Sequence, residues 1–192
     1  LRTRRQRQMC IRDRSDLDAE NNRYYSTAGV PGVTTNTGAI WVVSFLNTGA
    51  FGVNIANDIL LPTEFKGVVT GEEFGISSDI SNLVTEGTKR YLYVVASAVA
   101  YVRVIVGSIE NGDDVDTPAA WSWNLAPTTG TQPQPRSIFS SPLSTIRSVA
   151  ITSDGTIVIM GDLTNNEVRV FQSSDKWATS CLLYTSDAAD ES

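Results

Sequence analysis

Three clusters in this 192-residue chain carry the residue types that could do chemistry. Asn111-Gly-Asp-Asp-Val-Asp116 gathers Asp113, Asp114 and Asp116 in a polar stretch between apolar runs. Hard carboxylate oxygens at near-alternate positions are what calcium takes, although the full alternating set and its later bidentate Glu are missing, so the stretch also reads as an acidic, solvated turn. Arg103 and Arg169 each stand between two valines, in Val102-Arg-Val104 and Val168-Arg-Val170. Several guanidinium groups can clamp a ligand carboxylate bidentately; along a strand, a charge between two valines is also the solvent-facing half of an alternation. Ser173-Ser174-Asp175-Lys-Trp177 combines short oxygens that can hold a tight turn with an indole that can fill the gap between sheets. Asp154-Gly155 is a hairpin signal, because Gly accepts positive φ without a Cβ clash.

Other chemistry is excluded by composition. The chain has no His, and both cysteines, Cys10 and Cys181, lie near its ends. Between Ser15 and Ser180 there is therefore no thiol nucleophile, no His-based triad and no zinc site of the usual ligand types. Glu72 and Glu73 are adjacent, and in a strand they would point to opposite faces.

The ends have a peculiarity of their own. Arg4-Arg-Gln-Arg-Gln-Met-Cys-Ile-Arg-Asp-Arg14 is densely charged and aperiodic. Gln8 to Asp13 can be back-translated with codons whose complementary strand, shifted by one base, encodes Cys181-Leu-Leu-Tyr-Thr-Ser186. The two ends resemble the translated transposase-end adapter of sequencing libraries, which implies that 1–14 and 181–192 are not native and that 15–180 is the piece to be read for a fold. The tails hold six of the 15 Lys and Arg but only four of the 21 acids, so the remainder is more acidic than the chain's net −6. Nucleic acid is an unsuitable partner for it, since phosphate binding needs clustered cations. The native termini, and any export signal, are expected to lie outside this sequence.

The elements that must position these residues are strands. Val, Ile, Thr and aromatic residues come in short runs parted by Gly, Asn, Asp and Pro, and amphipathic helical spacing never persists. The clearest unit is Thr145 to Thr179: RSVAIT, a Ser-Asp-Gly turn, TIVIMGD, an LTNN turn, EVRVFQ, an SSD turn, and a last strand expected from Trp177. Upstream, YLYVVAS and YVRVIVGS precede the acidic loop and a strand at Trp121 to Trp123, with Trp121 matching Trp177. A third copy pairs AIWVVSF with FGVNIA. The copies start near Trp41, Leu92 and Ile157, and unequal spacing points to variable loops on a shared unit. Tyr91 to Gly107, the most apolar stretch, is interrupted by Arg103 and suits two buried strands rather than a membrane span. Ala126 to Pro142 reads as a Pro-, Thr- and Ser-rich loop.

SVAITSDGTIVIMGDLTNNEVRVFQSSD resembles a β-propeller blade, and Ser173 to Trp177 resembles a degenerate Asp-box, the S-x-D-x-G-x-x-W turn of sialidase-like propellers. The resemblance implies an all-β chain containing a partial β-propeller of about three antiparallel blades; a β-sandwich is the alternative. The expected function is non-catalytic binding of a protein or glycan by a scaffold that is a fragment of a larger β-propeller protein, its remaining blades missing from this sequence, with no cofactor beyond the calcium the acidic loop could take. A sialidase-like glycosidase, with Arg103 and Arg169 in a substrate clamp, is the second expectation. A structural module of a phage or cell-surface assembly is the third.

Overall fold

Runs of β-branched and aromatic residues bounded by turn formers favour strands that pack on a pleated surface. In the structure, a computed structural model that describes residues 23–30, 38–46, 59–67, 73–115, 117–123, 125–126 and 134–187, they form three antiparallel sheets, none closed into a barrel. The one helical turn among the described residues is a 3-10 turn at Pro118–Ala120.

The first sheet consists of β1 (Arg23–Val30), β2 (Ala39–Leu46) and β3 (Ile59–Lys66), with β2 in the centre. β2 carries the expected AIWVVSF run, but its partners among the described residues are β1 and β3; FGVNIA lies outside the described residues.

The middle sheet opens with β4 (Ser78–Ile80) and β5 (Val84–Glu86), which follow one another along the same side of β6 (Lys89–Ser97). β6 and β7 (Tyr101–Glu110) are the expected apolar hairpin, in unbroken register from Lys89 opposite Glu110 to Ser97 opposite Val102. On the far side of β7 lie β8 (Ser122–Trp123), opposite Gly107 and Ser108, and β10 (Gln134–Ser140), with β9 (Leu125–Ala126) on the outer side of β10. β10 corrects the reading of Ala126 to Pro142 as a loop: Arg136 to Ser140 pair with β7 through a bulge, and Pro135 falls near the strand's start, opposite Leu125 of β9. That is a position where a missing N–H is tolerated.

The third sheet is the expected meander of four strands, β11 (Ile146–Ile151), β12 (Ile157–Asp162), β13 (Glu167–Gln172) and β14 (Cys181–Asp187). Its last strand starts at Cys181 and not at Trp177, which sits in the turn before it. Trp177 has φ 62 and Lys176 φ 57, left-handed values that no strand residue holds. β14 is thus built from the segment that resembles adapter sequence. Cys181, Leu182, Leu183 and Tyr184 are all exposed, so backbone pairing rather than core burial holds the strand.

The sheets stack in three layers, and the middle one is buried on both faces. Alternation along β6 sends Leu92, Val94 and Ala96 into a core with Ile40, Val42 and Phe65 of the first sheet. Tyr93 and Val95, with Val102, Val104 and Val106 of β7, face Val149, Val158, Met160 and Phe171 of the third sheet. This is why the Tyr91 to Gly107 stretch is apolar almost throughout. The faces also correct the match of Leu92 with Ile157. Leu92 turns toward the preceding sheet, as do Val158 and Met160, whereas Ile157 lies on the other face of β12. A slip of one residue exchanges every face of a strand; in the register observed, Arg103 lies opposite Ala96 of β6 and Arg169 opposite Met160 of β12.

Candidate functional site

The best-built polar site is the end of the third sheet where the β11–β12 and β13–β14 turns meet. The Ser173 hydroxyl accepts from the backbone N–H of Trp177 at 2.9 Å and of Asp175 at 3.3 Å, and itself donates to Asp175 Oδ1 at 2.8 Å. Asp175 accepts from the Thr179 N–H at 2.9 Å and from the Thr179 hydroxyl at 2.6 Å. The hydroxyl and amide of Thr179, then the hydroxyl of Ser173, hold the Asp175 carboxyl down at about 2. Ser174 is exposed; the hydroxyl that organises the turn is the buried one of Ser173. Counted from Ser173, the fifth position of the Asp-box pattern is Trp177, which takes the left-handed φ in place of Gly, and the eighth is Ser180.

The neighbouring turn is tied to this one. Asp154 accepts from the Thr152 hydroxyl at 2.5 Å and from the Thr156 N–H at 3.1 Å, bonds that hold its carboxyl below the usual range. The Trp177 indole, 2% exposed, donates to the Gly155 carbonyl at 2.7 Å. Gly155 has φ 74, and a Cβ there would lie 2.1 Å from the Tyr93 ring. Burial, with Glu86 nearby, pushes the Tyr93 phenol up to about 12. Above it, Lys176 pairs with Glu86 at 2.9 Å and lies 4.5 Å from the Tyr91 ring centre. The opposite end of the sheet is fixed by Asp162, which sequence reasoning missed. Burial works to raise its carboxyl, but Ser144, Asn165 and the amides of Thr145 and Asn165 outweigh it and leave it lowered. A signal was present: an Asp closing a strand before Leu-Thr-Asn-Asn is a candidate for bonding its own turn.

No family model, curated protein or solved structure matches this chain.

The two arginines occupy equivalent places but do not share a site. Arg103 lies over the rings of Tyr101 and Phe74, its Cζ 4.4 and 5.4 Å from their centres, on the face toward the first sheet. Arg169 lies 4.7 Å from the centre of the Phe139 ring and pairs with Glu167 at 2.7 Å, on the face toward the middle sheet. Phe74 and Phe139 each sit on the chain just ahead of the first strand of the sheet that holds the arginine. The repeated V-R-V therefore carries a repeated cation–π stack.

The acidic loop is organised around a cation of its own. Arg90, 1% exposed, donates from Nη2 to the carbonyl of Asp113 at 2.7 Å and more weakly to that of Glu110 at 3.4 Å. The Asp113 and Asp114 side chains are exposed, and the Thr117 hydroxyl donates to Asp114 at 3.2 Å. Asp116 lies outside the described residues. Among the described residues no three His, Cys, Asp or Glu side chains gather as metal ligands, and no helix is long and apolar enough to cross a membrane.

Asp79 joins two sheets. Its Oδ2 accepts from the Ile151 N–H at 2.8 Å and its Oδ1 from the Ile80 N–H at 2.9 Å, while Ser77 Oγ accepts from Val149 at 3.3 Å. Burial raises the Asp79 carboxyl above its ordinary value, against the lowering effect of the two amides. These side chains cover the open N–H groups of β11, an edge that would otherwise invite another strand.

Proposed function

We propose that this chain is a non-catalytic recognition scaffold built from propeller-type blades, whose inter-strand turns contact a protein or glycan. The observation that carries this reading is that Asp154, Asp162 and Asp175 each lock one of the three successive turns of the third sheet onto backbone or hydroxyl donors. Carboxylates used in this way make loops rigid, and rigid loops lose little conformational entropy when they bind. The repeated arginine–aromatic stack supports the blade reading, because it marks the same position in two sheets. It also gives Arg103 and Arg169 a structural role that a substrate clamp would have to displace. We read 1–14 and 181–192 as adapter-encoded; the codon complementarity supports this, and so does the exposure of Leu182, Leu183 and Tyr184.

The test is binding of the labelled chain to glycan and peptide arrays, repeated with Ser174→Arg, an exposed position in the locked turn. Saturable binding that Ser174→Arg abolishes without moving Tm is the expected result. Turnover of fluorogenic glycosides, lost in Arg103→Met, would replace this reading with the glycosidase one.

A further inference from the structure

Two turns in the chain could close a cyclic imide between a side chain and the next backbone nitrogen: Asp154-Gly155 and Asn111-Gly112, the chain's only Asn-Gly pair. The fold treats them oppositely. At Asp154-Gly155 the Gly N–H is bound to the Thr152 carbonyl at 2.8 Å, the carboxyl accepts from Thr152 and Thr156, and Gly155 is buried against Tyr93. Those bonds also keep the Asp154 carboxyl ionised, and an anion is a poor target for a nucleophile. At Asn111-Gly112 the reacting atoms are open. Both residues are exposed, a Cβ on Gly112 would meet nothing within 4 Å, and the Gly112 N–H has no acceptor among the described residues. The amides on either side are anchored, the Asn111 N–H on the Thr88 carbonyl at 2.8 Å and the Asp113 N–H on that of Glu110 at 3.2 Å. The Asn111 side chain is held by one exposed hydrogen bond, from Nδ2 to the Gly87 carbonyl at 3.2 Å.

We propose that Asn111 is a self-modification site, at which the chain loses the side-chain amide as ammonia and becomes a mixture of Asp and isoAsp. The Gly112 nitrogen gives up its proton to solvent base and attacks Cγ of Asn111. The N–Cγ bond forms, the Cγ–Nδ2 bond breaks, and Nδ2 leaves as ammonia with a proton from water. Solvent water then opens the imide by breaking either carbonyl–nitrogen bond, so one product keeps the ordinary main chain and the other, isoAsp, carries it through the side-chain carbon. Either product loses the Nδ2 donor, since a carboxylate cannot donate to the Gly87 carbonyl. IsoAsp also lengthens the main chain beside Asp113, whose carbonyl the buried Arg90 guanidinium holds at 2.7 Å. Gly87 belongs to the turn whose Glu86 pairs with Lys176, so the change lies next to the locked turn of the third sheet. The inference stands on this local geometry and is independent of the blade reading.

The full chain is held at mildly alkaline pH below its Tm, digested and mapped by mass spectrometry, with enzymatic methylation of isoAsp as a second readout and a urea-unfolded sample alongside. In the folded chain Asn111 should react within about tenfold of its unfolded rate, because no opening has to precede the step. Asp154 should isomerise in the unfolded chain and be protected at least about a hundredfold in the folded one, where Gly155 reacts only after opening. Asn111→Gln keeps the donor but needs a larger, slower-closing ring, and should abolish the modification. The aged chain should melt about 2–4 °C below aged Asn111→Gln, the shift expected for about one lost hydrogen bond in a chain of this size. An Asn111 that stays intact in the folded chain while the unfolded chain reacts, or an Asp154 that reacts as fast as Asn111 in the folded chain, overturns the proposal. Modification with an unchanged Tm overturns the part of it that runs through Arg90.

Discussion

The indole N–H of Trp177 bonds the carbonyl of Gly155 at 2.7 Å, and Gly155 in turn lies against the ring of Tyr93. A turn between β13 and β14, a turn between β11 and β12, and a strand of the neighbouring sheet are thereby joined through one small residue.

Trp177→Ala is expected to cost about 3–5 kcal/mol, the range for truncating a large buried aromatic. Trp177→Phe keeps most of the volume but leaves the Gly155 carbonyl without its donor, and should cost about 1–3 kcal/mol. Gly155→Ala combines a left-handed backbone, worth about 1–2 kcal/mol, with the clash against Tyr93. Urea unfolding of the three variants checks the order; an unchanged midpoint for Gly155→Ala would remove Gly155 from this role.

Acid should weaken the fold through the turn carboxylates. Asp154, Asp162 and Asp175 have lowered folded values, so their contributions are present above the unfolded value of 3.8 and are lost as pH falls through the folded values, about 2 for Asp175. Asp79 acts in the opposite direction: with its value raised, its contribution is full below 3.8 and is lost as pH rises through the folded value. Tm measured from pH 7 downward should therefore fall most steeply below about pH 4. Asp175→Asn should flatten that limb, and an equally steep limb in the variant would assign the acid loss elsewhere.

Calcium should leave Tm within about 1 °C up to about 10 mM, because ligand binding to the native state alone would raise it. The cation at this loop is the Arg90 guanidinium, and Arg90→Ala should cost about 1–3 kcal/mol by freeing the Asp113 carbonyl. A calcium-dependent rise in Tm in the unmodified chain would support calcium binding by Asp113, Asp114 and Asp116.

Deleting 181–192 should leave the third sheet folded, since Leu182, Leu183 and Tyr184 are more than half exposed and contribute little burial. The cost is the bare edge of β13, which should appear as increased light scattering at high concentration. Loss of the cooperative melt would show that β14 is required for the fold.

The strands of the second and third sheets were legible because period-two alternation and Asp-Gly or Asn-rich turns are local signals, written within a few residues of where they act. The one-residue error that set Ile157 on Leu92 arose from the same source: within one strand nothing says which face the next sheet will cover, and a slip by one exchanges both faces. Trp177 was expected to open a strand because its residue type suits one; its left-handed backbone is imposed by Ser173 and Asp175 around it and by Gly155, twenty-two residues away.

Residue types and their order are enough for the class of structure and the limits on chemistry. Strand runs and their turns give an all-β chain, and the absence of His, with Cys only near the ends, removes whole classes of catalysis. Tertiary structure alone decided which charges meet which partners. Arg103 and Arg169 look alike in sequence as ligands or as solvent-facing charges, and became stacked cations only when Phe74 and Phe139 were placed ahead of their sheets. Asp79 became a bridge only when Ile151, seventy-two residues away, presented its amide. The physical reason is range: backbone preference acts between neighbours, whereas desolvation and side-chain hydrogen bonding act between residues that only folding brings together.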